Sequence, residues 1–164
     1  MRENDKPMQH QGTIMHHYLM FAVNMALSLI VMYLVMFSMI DGLPDFRNNI
    51  NTLYMALTMV APMGIIMLAT MGRMYQHKAL NAALYIGLAL LLLAAFAGTR
   101  AQTLVGDRQF IASMIPHHSG AILMCRKASL TDRELIDLCN NISKGQRQEI
   151  DQMNAIQRRL NNRG

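Results

Sequence analysis

Three stretches of this 164-residue chain, His17 to Ile40, Thr52 to Met71 and Ala79 to Gly98, contain no Lys, Arg, Asp or Glu. Each has about twenty residues, the length a helix needs to cross the hydrocarbon core of a bilayer. Three such runs in succession, joined by short linkers, predict transmembrane helices rather than the buried helices of a soluble domain. The chain is 52% hydrophobic, and most of that content precedes residue 99. The first run is too long for a signal-peptide core. It is followed by Ile40-Asp41-Gly42-Leu43-Pro44, which reads as a turn and not as a small-residue cleavage site, so it is expected to remain as an anchor.

Basic residues near the spans set an expected orientation. Arg2 and Lys6 precede the first span and Arg73 with Lys78 joins the second to the third, whereas only Arg47 lies between the first and second. The positive-inside rule then puts the N-terminus and the second linker in the cytoplasm and the C-terminal region outside, in the periplasm of a bacterial inner-membrane protein. The formal charge of +5 does not imply nucleic acid. The basic residues of the tail alternate with acidic ones and no aromatic residues interleave to stack bases, so a solvated surface near anionic headgroups accounts for them.

Residues 1–16 form a polar segment containing Met and His, residues 17–98 the membrane region, and residues 103–164 an extramembrane antiparallel helical hairpin, giving an all-α chain. Gly106-Asp107 is a start signal for a helix running to about Lys127. Thr131-Asp132-Arg133-Glu134 has the form of a capping box with Thr131 as the cap. The second helix keeps helical spacing through Leu135, Leu138, Cys139, Ile142, Gln146, Glu149, Met153 and Ile156. Pro116 is expected to bend or interrupt the first helix. Equal rises from the turn put Ala121 opposite about Cys139 and His117 opposite about Gln146.

The stretch from Phe110 to Cys125, F-I-A-S-M-I-P-H-H-S-G-A-I-L-M-C, collects Met114, His117, His118, Met124 and Cys125. Thioether, imidazole and thiol are the donors of a soft metal, and copper(I) and silver(I) prefer them where magnesium, calcium and manganese prefer oxygen. Met114 can share an ion with His117 or His118, three and four residues away, whereas His118 and Cys125 stand too far apart. The expected ligands are Met114, His117, His118 and Met153, with Met124, Cys125 and Cys139 as further candidates. Gln146 and Glu149 would orient an imidazole through its other nitrogen. Cys125 and Cys139 flank the predicted turn, and a disulfide, thiolate ligands and free buried thiols all remain open for them.

The wording F-I-x-x-M-I-P-H-H-x-x-A-I-x-M, followed by Asp132-x-Glu134-Leu135 and by Gln146-x-x-Glu149-Ile150-x-x-Met153, resembles the domain-of-unknown-function-305 family over roughly residues 103 to 160. The resemblance implies a ferritin-like helical fold with periplasmic copper-binding relatives. Longer members carry the hairpin twice, and this chain carries the motif once. A second copy is therefore expected to complete a four-helix bundle, with a homodimer favoured.

Within the second span Met55, Met59, Met63, Met67 and Met71 recur every fourth residue, part of a total of 17 methionines. That spacing winds partly round the helix, by about 40° per step. Core packing explains most of these residues, and thioethers also hold soft cations. Pro62 and Gly64 are expected to kink the ladder midway. His16, His17 and His77, with Met15 and Met74, are expected at the cytoplasmic edge, as an interfacial fringe or an inner metal site. The functional expectation is a membrane-anchored copper(I)- or silver(I)-binding protein and not an enzyme. A membrane protein that binds partners without metal is the alternative. A ferritin-like di-iron centre is disfavoured because Glu134 and Glu149 have no accompanying Glu-x-x-His pair, and no hydrolase or phosphate-binding motif occurs.

Overall fold

A computed structural model describes residues 6–162, with side chains from Met15 onward. Most of the polar segment expected over 1–16 thus lies outside the described side chains. The described residues form helices α1 Lys6–Val35, α2 Ile50–Thr70, α3 Lys78–Ala101, α4 Asp107–Lys127 and α5 Arg133–Asn161, with two short 3-10 turns at Met36–Met39 and Leu43–Asp45, and no strand among them. Three windows are long and apolar enough to cross a membrane: Met15–Met39, Ile50–Thr70 and Lys78–Ala101. Only 6% of the first and third windows is buried within the protein. Leu27, Ile30, Leu90 and Leu93 are each more than half exposed, an arrangement that water penalises and hydrocarbon does not.

The chain divides into two compact units, residues 1–33 with 54–101, and residues 34–53 with 102–164. In the first, Tyr18, Phe21, Leu68 and Tyr75 form a buried cluster against which Met25, Met67 and Leu80 pack. The ring of Tyr75 lies 5.3 Å from that of Tyr18 and 5.7 Å from that of Phe21. The Tyr18 hydroxyl donates to Asn81 Oδ1 at 2.7 Å, and Asn81 Nδ2 donates to the backbone carbonyl of Tyr75 at 2.6 Å. His77 Nδ1 accepts from the Leu80 amide at 3.3 Å and so caps the start of α3. Helix α2 passes through Pro62 without a break. Gly64 beside it is a close-approach point, where a Cβ would stand 2.8 Å from Met25 Cε and 3.0 Å from Leu88 Cδ1.

In the second unit, α4 and α5 pair through Ile111, Ile115, Ile122 and Ile150, flanked by Met153, Ile156 and Leu160. Two expectations are corrected and one is narrowed here. Helix α4 is not interrupted at Pro116, since the proline removes one bond, to the Ala112 carbonyl, while packing on two sides holds the rest. The cap of α5 is Asp132 rather than Thr131, its carboxylate accepting from the Leu135 amide at 2.8 Å. A carboxylate also complements the positive end of the helix, which a hydroxyl does less well. The hairpin register differs by about one turn, with Cys125 opposite Cys139 and His118 level with Glu149, because α5 starts only at Arg133 after an extended connection.

The other side of α4 is covered by residues 36–46 of the same chain. The buried Ser119 hydroxyl donates to Asp45 Oδ2 at 2.6 Å and accepts from the Asp41 amide at 2.7 Å. Gly120 admits this segment, since a Cβ there would meet the Met39 carbonyl at 3.3 Å. Arg126 pairs with Asp41 at 2.7 Å, and Arg147 reaches Asp41 at 3.2 Å and Asp45 at 3.7 Å. The two arginines are about half exposed, so each pair contributes only about 0–1 kcal/mol. The buried Ser119–Asp45 bond to a charged acceptor is worth about 1.5–3 kcal/mol.

Candidate functional site

Ile111, Ile115, His118, Ile122 and Cys125 follow one another at intervals of four, three, four and three residues along α4. That interval repeats every 3.5 residues on average, so these residues share one stripe, and it is the stripe that faces α5. His118 therefore stands in the seam of the hairpin, where its neighbours are isoleucines. Its side chain is 12% exposed, and its Nδ1 lies 3.0 Å from Glu149 Oε2. The nitrogen and the carboxylate are at ion-pair distance but outside good hydrogen-bond geometry. Glu149 itself is 55% exposed, so its carboxylate keeps much of its hydration. An imidazole held in this way through Nδ1 presents Nε2 as its donor atom.

Two thioethers accompany this imidazole. Met114 is partly buried one turn before His118 on α4. Met153, one turn after Glu149 on α5, packs on the isoleucine cluster. Gln146 is partly buried on α5, one turn before Ile150.

His117 and Met124 lie elsewhere. A one-residue step turns the helix by about 100°, so His117 is exposed on the outer side of α4, its ring centre 6.2 Å from that of His118. Met124 shares this outer stripe and is 58% exposed. Cys125 and Cys139 are joined by a disulfide with their Cα atoms 5.2 Å apart, one of the three states open from sequence. So joined, they close the turn end of the seam and offer no thiolate. Among the described residues no three His, Cys, Asp or Glu side chains converge on one point. One hairpin thus sets His118 against Glu149, with Met114 and Met153 one turn from them along their own helices, and leaves His117, Met124 and the cysteine sulfurs elsewhere.

The methionine ladder of α2 also divides. Met55, Met59 and Met71 are 46%, 52% and 44% exposed, whereas Met67 is partly buried. Met67 packs on the Tyr18–Tyr75 cluster, and both Met67 and Met71 line a cleft with α1. The four-residue spacing accounts for the split, because it carries the stripe round the helix by about 40° at each step.

Ser119, Gly120, Asp41 and Asp45 went unread in the sequence, although they hold α4 in place. A signal was present: a short linker between spans with two carboxylates, Asp41 and Asp45, and the basic residues Arg126 and Arg147 in the tail to meet them.

Residues 93–157 match the family described as Domain of unknown function (DUF305). An uncharacterized protein of Acanthamoeba polyphaga mimivirus is 32% identical over 128 residues, covering 75% of this chain and 82% of the viral protein. No solved structure matches. With the family motif matched from the end of α3 through most of α5, and a relative aligned over most of both chains, this protein belongs to the family Domain of unknown function (DUF305).

Proposed function

We propose that the protein is a membrane-anchored copper(I)- and silver(I)-binding protein of bacterial metal homeostasis, carrying the ion as cargo on the α4–α5 hairpin. The observation that carries this reading is His118, a seam imidazole backed by the Glu149 carboxylate at 3.0 Å. Met114 and Met153 stand one turn from these two residues on their respective helices. Imidazole with thioethers suits a soft monovalent ion better than zinc, iron or magnesium, which take sets of three or more nitrogen, thiolate or oxygen ligands, and no three His, Cys, Asp or Glu are grouped among the described residues. His117 and Met124, on the outer stripe of α4, become donors only when a second copy lies against that stripe. The exposed Phe110, Leu135 and Leu138 of the same hairpin give such a copy apolar surface to bury. The disulfide and the distribution of basic residues between the spans both support a periplasmic hairpin.

Silver titration of the untagged, detergent-purified protein tests the reading, because Ag(I) needs no reductant and leaves the disulfide intact. One equivalent lost on His118→Ala is the expected result, with a smaller effect of His117→Ala. Unchanged binding in the His117→Ala/His118→Ala pair would remove the hairpin as the site. Alkaline phosphatase fused after Gly164 reports the orientation, and an inactive fusion would reverse it. A metal-free structural role is the second reading, favoured by Met153 lying within the isoleucine packing. It predicts no silver uptake at all.

A further inference from the structure

We infer that the His17 end of the cleft between α1 and the end of α2 is a second soft-cation site, taking Cu(I) or Ag(I) on His17 Nδ1 and the thioethers of Met20, Met71 and Met74. The inference does not rest on the hairpin reading, since none of these residues belongs to the hairpin. The cleft has a volume of about 510 Å³ and is lined by all four residues. His17 Nδ1 is buried and has no hydrogen-bond partner among the described residues. Asn24 and Ser28, which also line the cleft, bond to each other at 3.2 Å. Among the described residues the imidazole nitrogen thus stands without a partner on a mostly apolar wall whose Asn24 and Ser28 are engaged with each other, and a buried polar atom is costly unless something binds it.

What would bind it follows from the neighbours. Met20 is three residues beyond His17, on the same side of α1. Met71 and Met74 sit on the turn after α2, closed by the Met74 amide donating to the Met71 carbonyl at 2.9 Å. Tyr75, 4% exposed and held between the rings of Tyr18 and Phe21, fixes that turn. Thioethers are apolar enough to wall a membrane cleft and still donate to a soft cation. Among the described residues no carboxylate or cysteine lines the space. A divalent ion would therefore arrive without countercharge, and burying two uncompensated charges costs far more than burying one. The chemistry selects a monovalent soft ion over zinc or copper(II).

The test uses the full chain in detergent with His117→Ala and His118→Ala already in place, so that the hairpin imidazoles contribute nothing. Silver retained after gel filtration is counted by mass spectrometry, and the silver X-ray absorption edge reports its neighbours. The expected result is one retained equivalent with both nitrogen and sulfur neighbours. Adding His17→Ala should weaken retention by about tenfold or more, at least the loss seen when an outer partner of a ligand is removed. Met71→Leu with Met74→Leu should do the same while keeping the apolar volume and hence the fold. A background protein that retains no silver overturns the site. So does retention indifferent to His17→Ala, or retention indifferent to the methionine pair. Comparing the unsubstituted protein with the background reports on the hairpin alone, so the two sites fail separately.

Discussion

Two imidazoles in this protein sit in opposite settings. His118, in the hairpin seam, has the Glu149 carboxylate 3.0 Å from its Nδ1. His17, in the unit built from the three long apolar helices, has a buried Nδ1 with no partner among the described residues. The difference follows from the solvent. Glu149 is 55% exposed, so a carboxylate on the rim of a hairpin stays hydrated and orients a neighbouring ring at little cost. In an apolar span a carboxylate is expensive, and the cleft around His17 is furnished instead with the thioethers of Met20, Met71 and Met74, which are 54%, 44% and 41% exposed and are at home in hydrocarbon. Similar donor chemistry is thus reached by two routes, one using a charged backing residue and one avoiding it.

The strongest way to break the comparison is to unfold one region and watch the other. Ile115 is fully buried in the hairpin core, and Ile115→Ala should cost about 2–5 kcal/mol there. Hydrogen exchange should show α4 and α5 losing protection while α1 and α3 keep theirs. Simultaneous loss in both would mean that the two sites share one cooperative unit and cannot be compared as independent. The disulfide comes next. Cys125 and Cys139 close a loop of sequence separation 14, and replacing both by Ser should remove about 3 kcal/mol of hairpin stability. Silver stoichiometry should not change, because the proposed seam donors are His118 and thioethers. A lost equivalent would bring the sulfurs back as ligands.

The large-scale architecture was legible because membrane spans and helix starts are written locally. Charge-free runs of about twenty residues yielded three helices, and Gly106-Asp107 marked the start of α4. What could not be read were relations between distant residues. Counting rises from the turn missed the hairpin register by about one turn, since it could not know that Asp132, and not Thr131, caps α5. Likewise nothing local in I-P-H-H-S-G announces that Ser119 bonds Asp45, 74 residues away. The motif names His117 and His118 alike, yet helix rotation leaves one exposed and the other 12% exposed in the seam. The methionine ladder looked continuous as text and is divided in space for the same rotational reason.

The finest test of the comparison leaves every donor in place. Glu149→Gln keeps size and hydrogen-bonding capacity but removes the charge that backs His118. If the carboxylate orients the ring and raises the basicity of Nε2, silver affinity at the hairpin should fall by about 10–100-fold. Because Glu149 is mostly exposed, stability should change by no more than about 1 kcal/mol. A structural role for the ion pair predicts the reverse, a measurable shift in unfolding with silver affinity intact. The cleft gives the internal control: among the described residues no carboxylate lines it, so binding attributed to that site should be identical in Glu149→Gln and in the unsubstituted chain. Equal weakening at both sites would show that Glu149 acts through the net charge of the molecule rather than through His118, and the contrast between a backed and an unbacked imidazole would then fail.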